Sequence, residues 1–498
     1  MTHDVCFILE GTYPFVSGGV SSWVHSLVKA LPEINFTALC IMPSREQRLE
    51  VKYVLPRNFR DYEVFYLHDP GEGENGGGKK LTADAMPALR RLHEGLGNGG
   101  LSAFENVVRL FRSGGMSIQE LMHGKKAWDL LLSQYGIDSS DDSFIDYFWT
   151  YRISHLPLFR VLQANLPDAR VYHSLSTGYA GVLGAIAHIV TERPFLLTEH
   201  GIYFKERRIE IAQADWIFSQ KSRHARPERD LNRLHGLWMR IFQSFSLISY
   251  HYAERIFTLF EGNRETEIAD GADPDKIEVL PNAIAPERFY NMRGKKGGIA
   301  GKDPLVIGFV GRIVPIKDLK TFIRAIKIVA MRLGRIEVRI MGPTDEDPSY
   351  AIACRELVRE LGLQDVVRFL GKVDVKDHYP ELDLLVLTSM SEAQPLVLLE
   401  APCAGIPCVA TDVGACRELL EGRNTEDRAL GPSGMISRPA DPIDTARCIA
   451  GILGDPELWE AMSEAGRKRV VRYYSAHDLY ERYETVYREH MARETQEV

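Results

Sequence analysis

The stretch LVIGFVGRIVPIKDLKTFIRAIKIVAMRL (305–333) decides the predicted fold. It opens with the apolar run LVIGFV, which is typical of a strand that is buried on both faces of a sheet. A turn with glycine, charges and proline follows, and LKTFIRAIKIVAMRL then repeats apolar residues at helical spacing. A buried strand, a loop and an amphipathic helix form the repeating unit of a doubly wound parallel sheet.

This unit recurs along the chain in two series. The first series predicts strands in VCFILEG (5–11), FTALCIM (36–42), EVFYL (63–67), ARVYHSL (169–175), PFLLTEHG (194–201), RIFTLF (255–260) and KIEVLPN (276–282). The second predicts strands in LVIGFVG (305–311), EVRIMGP (337–343), VVRFLG (366–371), LDLLVLTS (382–389) and PCVATDVG (407–414). The pattern indicates an α/β protein with two Rossmann-like domains that face each other across a cleft.

We predict a first domain over 1–295 and a second over 296–472, because MRGKKGGIAGKDP (292–304) has the glycines of a linker and no apolar period. Residues 72–150 interrupt the first series and are interpreted as a helical insertion. In doubly wound sheets ligands bind beyond the carboxyl ends of the strands, so candidate site residues are sought there.

Composition excludes several classes of protein. The 498 residues carry a formal charge of −8, which gives no global electrostatic case for binding nucleic acid or an anionic membrane. Seven scattered cysteines favour reduced thiols over disulfides or a zinc site. The N-terminus lacks the basic leader of a secretory signal, and no long apolar run is free of charge, so we expect a cytoplasmic protein without a membrane span.

Arg312 and Lys317 follow the predicted strand 305–311 and lie five residues apart. Two cations at the end of a strand suit a ligand with two or more phosphates, because arginine offers a planar fork and lysine a point charge. The alternative is a solvated pair near a helix start. Cations there oppose the helix macrodipole, which weakens that alternative.

Two acids, Glu392 and Glu400, flank the apolar run in SEAQPLVLLE. Pro395 predicts a helix start, which places Glu392 in a loop and Glu400 in the second helical turn. Glu400 suits vicinal hydroxyls such as those of ribose, and Glu392 suits the hydroxyls of a second ring. The alternatives are dipole compensation for Glu400 and a solvated loop position for Glu392.

Backbone groups of two loops are also candidates. The amides of Leu396 and Val397 belong to the predicted first turn and can donate to phosphate. Gly18 and Gly19 lie in a strand–loop–helix corner where the backbone can approach a ligand closely, although the pattern is neither a dinucleotide motif nor a P-loop.

Histidines end two predicted strands of the first domain, at His173 and His200. A single histidine is more often structural, but two at one sheet edge favour a site. The acidic tripeptide DED (345–347) is similar to an Asp-x-Asp metal motif, and its position between prolines favours a solvated loop instead. We therefore expect no metal site.

Together these motifs resemble the retaining glycosyltransferases of family 4, which have the GT-B fold. The resemblance rests on GR with a lysine five residues on, two glutamates with LLEA, the segment GIPCVATDVG, VLPNAI (279–284) and the SGGV loop. The stretches FILEGTYPFVSGGVSSWVH, LTEHGIYFKERRIEI and SEAQPLVLLEA also resemble one branch, the cytosolic glycosyltransferases of Pel exopolysaccharide systems.

The resemblance implies a UDP-sugar donor. The residues implied to bind it are Gly18, Gly19, Arg312, Lys317, Lys372, Val373, Glu392, Pro395, Leu396, Val397 and Glu400. Arg312 and Lys317 would neutralise the diphosphate, Glu400 would bind the ribose, and the base would lie near Lys372 and Val373.

The implied catalytic residues are His200, Arg312, Lys317 and Glu392. Glu392 would hold the donor sugar beside the reacting centre, and His200 would approach it from the first domain. The two cations would stabilise the leaving diphosphate without a metal or a cofactor. The final helix, within 473–498, would cross back to complete the first domain.

The implied activity is that of a metal-independent hexosyltransferase that extends an exopolysaccharide. Its partners would be the UDP-sugar, the growing polysaccharide and inner-membrane synthase or export subunits. The alternative is a catalytically silent or partner-dependent UDP-sugar-binding subunit. An epimerase would lack these cations and paired acids, and a phosphorylase would need a pyridoxal lysine that the sequence does not reveal. Ala393-Gln394-Pro395 replaces the glycines of most relatives and points to this segment for donor specificity.

Overall fold

The computed structural model describes residues 2–46, 49–68, 81–98, 100–138, 143–213, 233–290, 292 and 298–493. The chain forms two compact units. The first unit comprises Met1–Thr258, Asn263–Val279 and Tyr483–Val498, and the second comprises Leu259–Gly262 and Leu280–Arg482.

The first unit contains a seven-stranded parallel sheet. Its strands are β1 (His3–Glu10), β2 (Phe36–Met42), β3 (Phe59–Tyr66), β4 (Ala169–Ser174), β5 (Phe195–Glu199), β6 (Arg255–Thr258) and β7 (Ile277–Val279). They lie in the order β3-β2-β1-β4-β5-β6-β7, and every neighbouring pair is parallel. The order reverses between β1 and β4, as it does in a doubly wound sheet.

Ten helices follow in the first two-thirds of the described chain. They are α1 (Gly19–Ala30), α2 (Ala85–Glu94), α3 (Leu101–Arg112), α4 (Ile118–His123), α5 (Lys125–Asp138), α6 (Phe144–Val161), α7 (Tyr179–Thr191), α8 (Tyr203–Gln213), α9 (Arg233–Tyr252) and α10 (Glu261–Ala269). No described helix combines the length and the apolar character needed to cross a membrane.

Helices α2 to α6 occupy the predicted insertion, of which residues 72–80, 99 and 139–142 lie outside the described residues. The insertion extends further than predicted, because α6 continues to Val161. Its buried side chains, among them Phe104 and Tyr147, share one apolar core with Leu183 of α7 and Phe245 of α9. The insertion is therefore part of the main core of the first unit.

The second unit contains a six-stranded parallel sheet. Its strands are β8 (Leu305–Val310), β9 (Ile336–Met341), β10 (Val367–Gly371), β11 (Leu384–Leu387), β12 (Cys408–Thr411) and β13 (Gly434–Ser437). They lie in the order β10-β9-β8-β11-β12-β13. Strand β13 lies at the edge and was not predicted, because GMIS is too short to give a periodic signal.

Eight helices complete the chain. They are α11 (Leu319–Ala330), α12 (Pro348–Glu360), α13 (Val397–Cys403), α14 (Cys416–Glu421), α15 (Thr425–Arg428), α16 (Pro442–Leu453), α17 (Pro456–Tyr473) and α18 (Ala476–Arg493). Short 3₁₀ helices cover Pro274–Lys276, Pro286–Arg288, Pro315–Lys317, Val375–Asp377 and Tyr379–Glu381.

The boundary between the units differs from the predicted boundary at 295/296, because the first unit ends at Val279. Ile284 and Phe289 are buried in a core cluster of the second unit, which includes Tyr379. The backbone N–H of Ile284 also donates to the carbonyl of Tyr474 at 3.1 Å. The segment after Val279 thus packs as part of the second unit and is not a free linker.

Helix α18 belongs to both units, and its residues from Tyr483 onward are assigned to the first. Buried Tyr483 and Tyr487 flank His173 of β4. The Nδ1 atom of His173 is hydrogen-bonded to the Tyr487 hydroxyl at 2.7 Å, and its Nε2 atom is hydrogen-bonded to Thr198 Oγ1 at 2.8 Å. Both ring nitrogens are satisfied, and burial lowers the pKa of His173 to about 3. His173 is therefore a structural histidine.

Candidate functional site

The loops at the carboxyl edge of the second sheet are hydrogen-bonded to one another. The N–H of Gly311 donates to Met341 O at 3.0 Å, and the N–H of Gly342 donates to Gly371 O at 2.8 Å. Gly342 has φ +156°, and a Cβ atom there would lie 1.8 Å from Gly311 O. Only glycine permits this approach, so the loops after β8, β9 and β10 form one fixed surface.

Lys317 and Glu392 meet on this surface. Lys317 Nζ donates to Glu392 Oε1 at 2.5 Å, and Ser389 Oγ donates to the same oxygen at 2.5 Å. The Lys317 side chain is 17% exposed and that of Glu392 is 11% exposed. Thr388 Oγ1 donates to Lys317 O at 3.2 Å and so fixes the lysine backbone against the loop after β11. The sequence placed both residues at strand ends, but it did not predict their contact.

Arg312 is more exposed than Lys317 and has a different partner. Its Nη1 atom donates to both carboxylate oxygens of Glu346 at 2.6 Å, and the side chains are 54% and 53% exposed. The next residue, Asp347, accepts the N–H of Tyr350 at 2.9 Å and caps α12. The DED loop, predicted to be solvated, therefore supplies an ion pair and a helix cap. No group of three or more metal-ligating side chains occurs among the residues for which positions are described.

Glu400 lies in the first turn of α13 and not in the second turn as predicted, because the helix begins at Val397. The hydroxyl of Tyr379 donates to Glu400 Oε2 at 2.9 Å. Burial raises the pKa of Glu400, while this hydrogen bond and the charges of Arg288 and Lys376 oppose the rise. The carboxylate is thus held in a partly closed position with one fixed donor.

The start of α13 leaves backbone donors available. The N–H of Leu398 donates to Pro395 O at 3.0 Å and the N–H of Leu399 donates to Leu396 O at 2.9 Å. Within the described chain, the N–H groups of Leu396 and Val397 donate to no other residue. The helix has only seven residues, so these two donors contribute more than its small dipole does.

Gln394 is a residue of this corner whose role the sequence did not indicate. Its Oε1 accepts the N–H of Asn282 at 2.7 Å, and its Nε2 donates to Asn282 O at 3.2 Å. A buried glutamine thus joins the SEAQP segment to the VLPNAI segment. The only signal in the sequence is a polar residue between apolar neighbours.

The loop that carries Glu392 also packs tightly against the ATDVG segment. The N–H of Ala415 donates to Ala393 O at 2.8 Å. Gly414 has φ +52°, and a Cβ atom there would lie 2.0 Å from Glu392 O. The carbonyl side of Glu392 is therefore fixed by close backbone packing.

Lys372 and Val373 follow β10 at the end of the same sheet. Lys372 is exposed, and Val373 is half-buried against the core cluster that includes Tyr379. Since β9 lies between β10 and β8, these residues stand two strands, or about 10 Å, from the strand that leads to Arg312.

In the first unit, Gly18 precedes α1 and Gly19 is its first residue. A Cβ atom at either position would meet no atom within 4 Å. The packing of the chain therefore does not itself require glycine here.

His200 directly follows β5 and lines a cavity of about 310 Å³ within the first unit. The other polar residues that line it are Glu10, Thr12, Ser176, Tyr203, Glu206 and Arg207. The ring of Trp23 meets the His200 ring at a centroid distance of 4.9 Å. Burial lowers the pKa of His200 to about 4, so the ring is neutral at pH 7. Its Nε2 atom is buried and has no hydrogen-bond partner in the described chain.

A family profile described as "Domain of unknown function (DUF3492)" matches residues 3–275, more than half of the chain. The chain belongs to the DUF3492 family. A second profile, "Glycosyl transferases group 1", matches residues 294–469. This DUF3492 protein therefore carries a group 1 glycosyltransferase domain, and that domain contains Arg312, Lys317 and Glu392.

Curated relatives give matches of partial length. D-inositol 3-phosphate glycosyltransferase 2 of Catenulispora acidiphila is 30% identical over 214 residues, which cover 41% of this chain and 48% of the relative. N-acetyl-alpha-D-glucosaminyl L-malate synthase of Bacillus anthracis is 34% identical over 221 residues, which cover 43% and 54%. The DUF3492 chain thus spans about half the length of the curated relatives it matches.

Solved structures match over nearly the full length. Sucrose-phosphate synthase from Thermosynechococcus elongatus aligns with a TM-score of 0.56 at 15% identity and covers 98% of this chain and 99% of its own. Anabaena HepE in complex with UDP aligns with a TM-score of 0.58 at 14% identity, with the same coverage. These likenesses and the two parallel sheets confirm the predicted GT-B fold.

Proposed function

We propose that this protein is a glycosyltransferase that takes a UDP-sugar as its donor, with the diphosphate bound at the carboxyl edge of the second sheet. The group 1 glycosyltransferase profile supports the reaction class. The presence of UDP in the HepE complex supports the choice of nucleotide. Sequence resemblance supports a retaining outcome.

The observation that carries the proposal is the contact between Lys317, Glu392 and Ser389. A half-buried ion pair contributes little net stability, because desolvation offsets the attraction between the charges. At the carboxyl end of parallel strands, however, such a pair presents both charges to a ligand. A diphosphate can accept from Lys317, and sugar hydroxyls can donate to Glu392.

The residues of the second unit then have separate roles. As the bond between the anomeric carbon and the diphosphate oxygen breaks, both electrons of the bond pass to the phosphate. Arg312 and Lys317 stabilise this growing charge, and fixed groups of this type are worth about 3–4 kcal/mol each to a transition state. Glu400 accepts hydrogen bonds from the ribose hydroxyls while Tyr379 holds it in place. No step in this scheme requires a metal or a cofactor.

The physiological role that we propose is extension of an exopolysaccharide of the Pel type, in the cytoplasm and beside inner-membrane synthase and export subunits. The motif resemblance over nearly the whole chain supports it. The names of the curated relatives point to other acceptors, an inositol phosphate and malate, but those matches span less than half of this chain.

Isothermal titration calorimetry with UDP, ADP and GDP tests the proposal. We expect UDP to bind, and we expect Arg312→Ala and Lys317→Ala each to weaken its binding at least tenfold. Lys320→Ala is the matched control, because the Lys320 ammonium lies over the Tyr350 ring at 5.1 Å. UDP binding that both alanine variants leave unchanged would overturn the site.

Turnover of a panel of UDP-sugars, measured as UDP release, then tests the reaction. We expect at least one sugar to be hydrolysed or transferred. If UDP binds through Arg312 and Lys317 but no sugar turns over, even with membranes that contain the synthase subunits, the protein is a silent UDP-sugar-binding subunit and the proposed reaction fails.

A further inference from the structure

The first unit contains a second cavity beside the one that His200 lines. This cavity measures about 380 Å³, and its aromatic lining residues are Tyr179, Tyr203, Trp238 and Phe242. Glu10, Tyr203 and Arg207 line both cavities and form a shared wall. We call the His200 cavity the polar lobe and the second cavity the aromatic lobe. Each lobe is as large as a typical small-molecule site, which measures roughly 300–1,000 Å³.

Three polar atoms that belong to lining residues of the polar lobe are buried without a partner. They are Thr12 Oγ1, His200 Nε2 and Arg207 Nε. Buried polar groups in proteins are nearly always hydrogen-bonded, because an unpaired one costs about 1–3 kcal/mol. Three such atoms around one cavity indicate that a hydroxyl-bearing ligand completes their hydrogen bonds.

Glu10 stands at the shared wall as the last residue of β1. Its carboxylate accepts from the Tyr203 hydroxyl at 3.3 Å and from the N–H of Ala180 at 3.4 Å, both long contacts. A Cβ atom at Gly178 would lie 2.7 Å from Glu10 Oε2 and 2.5 Å from Tyr203 Cζ. Glycine at this position lets the carboxylate and the phenol meet between the lobes. The long contacts leave Glu10 able to accept stronger hydrogen bonds.

The charges of the groove select against an anion. Its acidic residues are Glu10, Glu206 and Glu210, whereas its one arginine, Arg207, already pairs with Glu210 at 2.7 Å. A phosphate or carboxylate group would be repelled by this set. Hydroxyl groups, in contrast, donate readily to carboxylates.

The aromatic lobe suits the other side of a sugar. Trp238 and Phe242 are stacked at a centroid distance of 5.6 Å, and Tyr203 meets Phe242 edge-on at 5.9 Å. The faces of such rings are weakly negative and pack well against the C–H groups of a pyranose ring.

We propose that the two lobes bind an uncharged saccharide of at least two sugar units, with hydroxyls at Glu10, Thr12 and His200 and a ring against Trp238 and Phe242. This inference rests on the proposed function, in which the saccharide is the acceptor of the transferred sugar. It assigns the acceptor a length and a charge that the donor site leaves open.

Binding to the full chain tests the inference, with tryptophan fluorescence and calorimetry as readouts. The probes are gluco-oligosaccharides and N-acetylglucosamine oligosaccharides of one to four units, with glucose 6-phosphate as the charged probe. We expect at least one disaccharide to bind about tenfold more tightly than its monosaccharide, and glucose 6-phosphate to bind no better than glucose. Binding that does not depend on length, or tighter binding of glucose 6-phosphate, overturns the inference.

Substitutions locate the binding. Glu10→Gln is expected to weaken oligosaccharide binding at least tenfold and to leave UDP binding unchanged. Phe242→Leu is expected to remove the advantage of the disaccharide over the monosaccharide. Glu63→Gln, an exposed change on β3, is the control. If Glu10→Gln does not fold, Tyr203→Phe removes one hydroxyl from the same wall.

The results also separate this inference from the proposed function. Loss of UDP binding bears on the second unit alone. Intact UDP binding with no saccharide binding at any length, or unchanged saccharide affinity in Glu10→Gln and Phe242→Leu, overturns the acceptor groove alone.

Discussion

The carboxyl edges of the two sheets arrange their polar groups in opposite ways. In the second unit, charged residues pair with one another, as Lys317 does with Glu392 and Arg312 with Glu346. In the first unit, Thr12 Oγ1, His200 Nε2 and Arg207 Nε are buried at one cavity without partners in the described chain. A ligand at the second unit must exchange existing ion pairs, whereas a ligand at the first unit completes hydrogen bonds that the protein leaves unmade.

The largest expected effect comes from breaking the central ion pair of the second unit. Glu392→Gln is expected to lower kcat about 10²–10³-fold, by comparison with the loss of other preorganised polar groups. UDP affinity is expected to stay the same or to increase, because Lys317 no longer has to leave a carboxylate. Steady-state UDP release and UDP calorimetry measure the two quantities.

Ser389→Ala serves as the graded control, since it removes one neutral hydrogen bond to the same carboxylate. We expect it to lower kcat tenfold or less. Weakened UDP binding in Glu392→Gln, with normal turnover, would contradict the assigned roles.

The next effect concerns how rigidly the paired edge is built. Gly414→Ala would force a Cβ atom to 2.0 Å from Glu392 O, whereas Gly431, also at positive φ, has no atom within 4 Å. Gly431→Ala is expected to lower the free energy of unfolding by about 1–2 kcal/mol through the left-handed backbone alone. Gly414→Ala should lower it by a further 1–3 kcal/mol or so through overpacking. Urea unfolding compares them, and equal losses would show that the Glu392 loop yields easily.

A smaller effect is expected on the open side of the comparison. Gly19→Ala places a methyl group where no atom of the chain lies within 4 Å, so stability should stay the same or rise by about 0.5–1 kcal/mol in the helix. If donor phosphates approach this backbone, transfer falls by about tenfold. Thermal unfolding and turnover, measured on the same preparation, distinguish these outcomes. A fully active variant would remove Gly19 from the predicted donor contacts.

The smallest effect is on pH dependence. Burial raises the pKa of Glu400 and the Tyr379 hydrogen bond lowers it, so Tyr379→Phe raises it further. Ribose binding needs the ionised carboxylate, so UDP affinity should fall as pH decreases, and it should begin to fall at a higher pH in the variant. We expect a difference of about 1 kcal/mol or less near pH 5 and none at pH 8. UDP titrations from pH 4.5 to 8 measure the shift, and a shift toward lower pH would refute the assignment.

The sequence predicted the sheets well because their signal is local. Each strand of β1 and β2 is a run of apolar residues, and almost every residue in them is buried. The edge strand β13 gave no such signal, since four residues with two half-buried positions do not stand out from a loop.

The sequence also identified Arg312, Lys317, Glu392 and Glu400, because each is a charged residue at a predicted strand or helix end. It could not predict their pairing. Lys317 and Glu392 are separated by 75 residues, and their contact depends on β8 and β11 being neighbours in the sheet.

The polar lobe escaped prediction for the same reason. Glu10, His200 and Arg207 come from two distant segments, and Glu10 had been noted only as a charge within an apolar run. Partners that are missing from a structure leave no mark in a sequence.

The assignment of Tyr483 and Tyr487 to the first unit has a consequence for biosynthesis. These side chains satisfy His173 and Thr198 in the middle of the first sheet. A nascent chain that leaves the ribosome lacks both tyrosines until all residues of the second unit have been made. The N-terminal unit is therefore the last to finish folding, and a premature stop before Tyr483 damages the end of the molecule that was synthesised first.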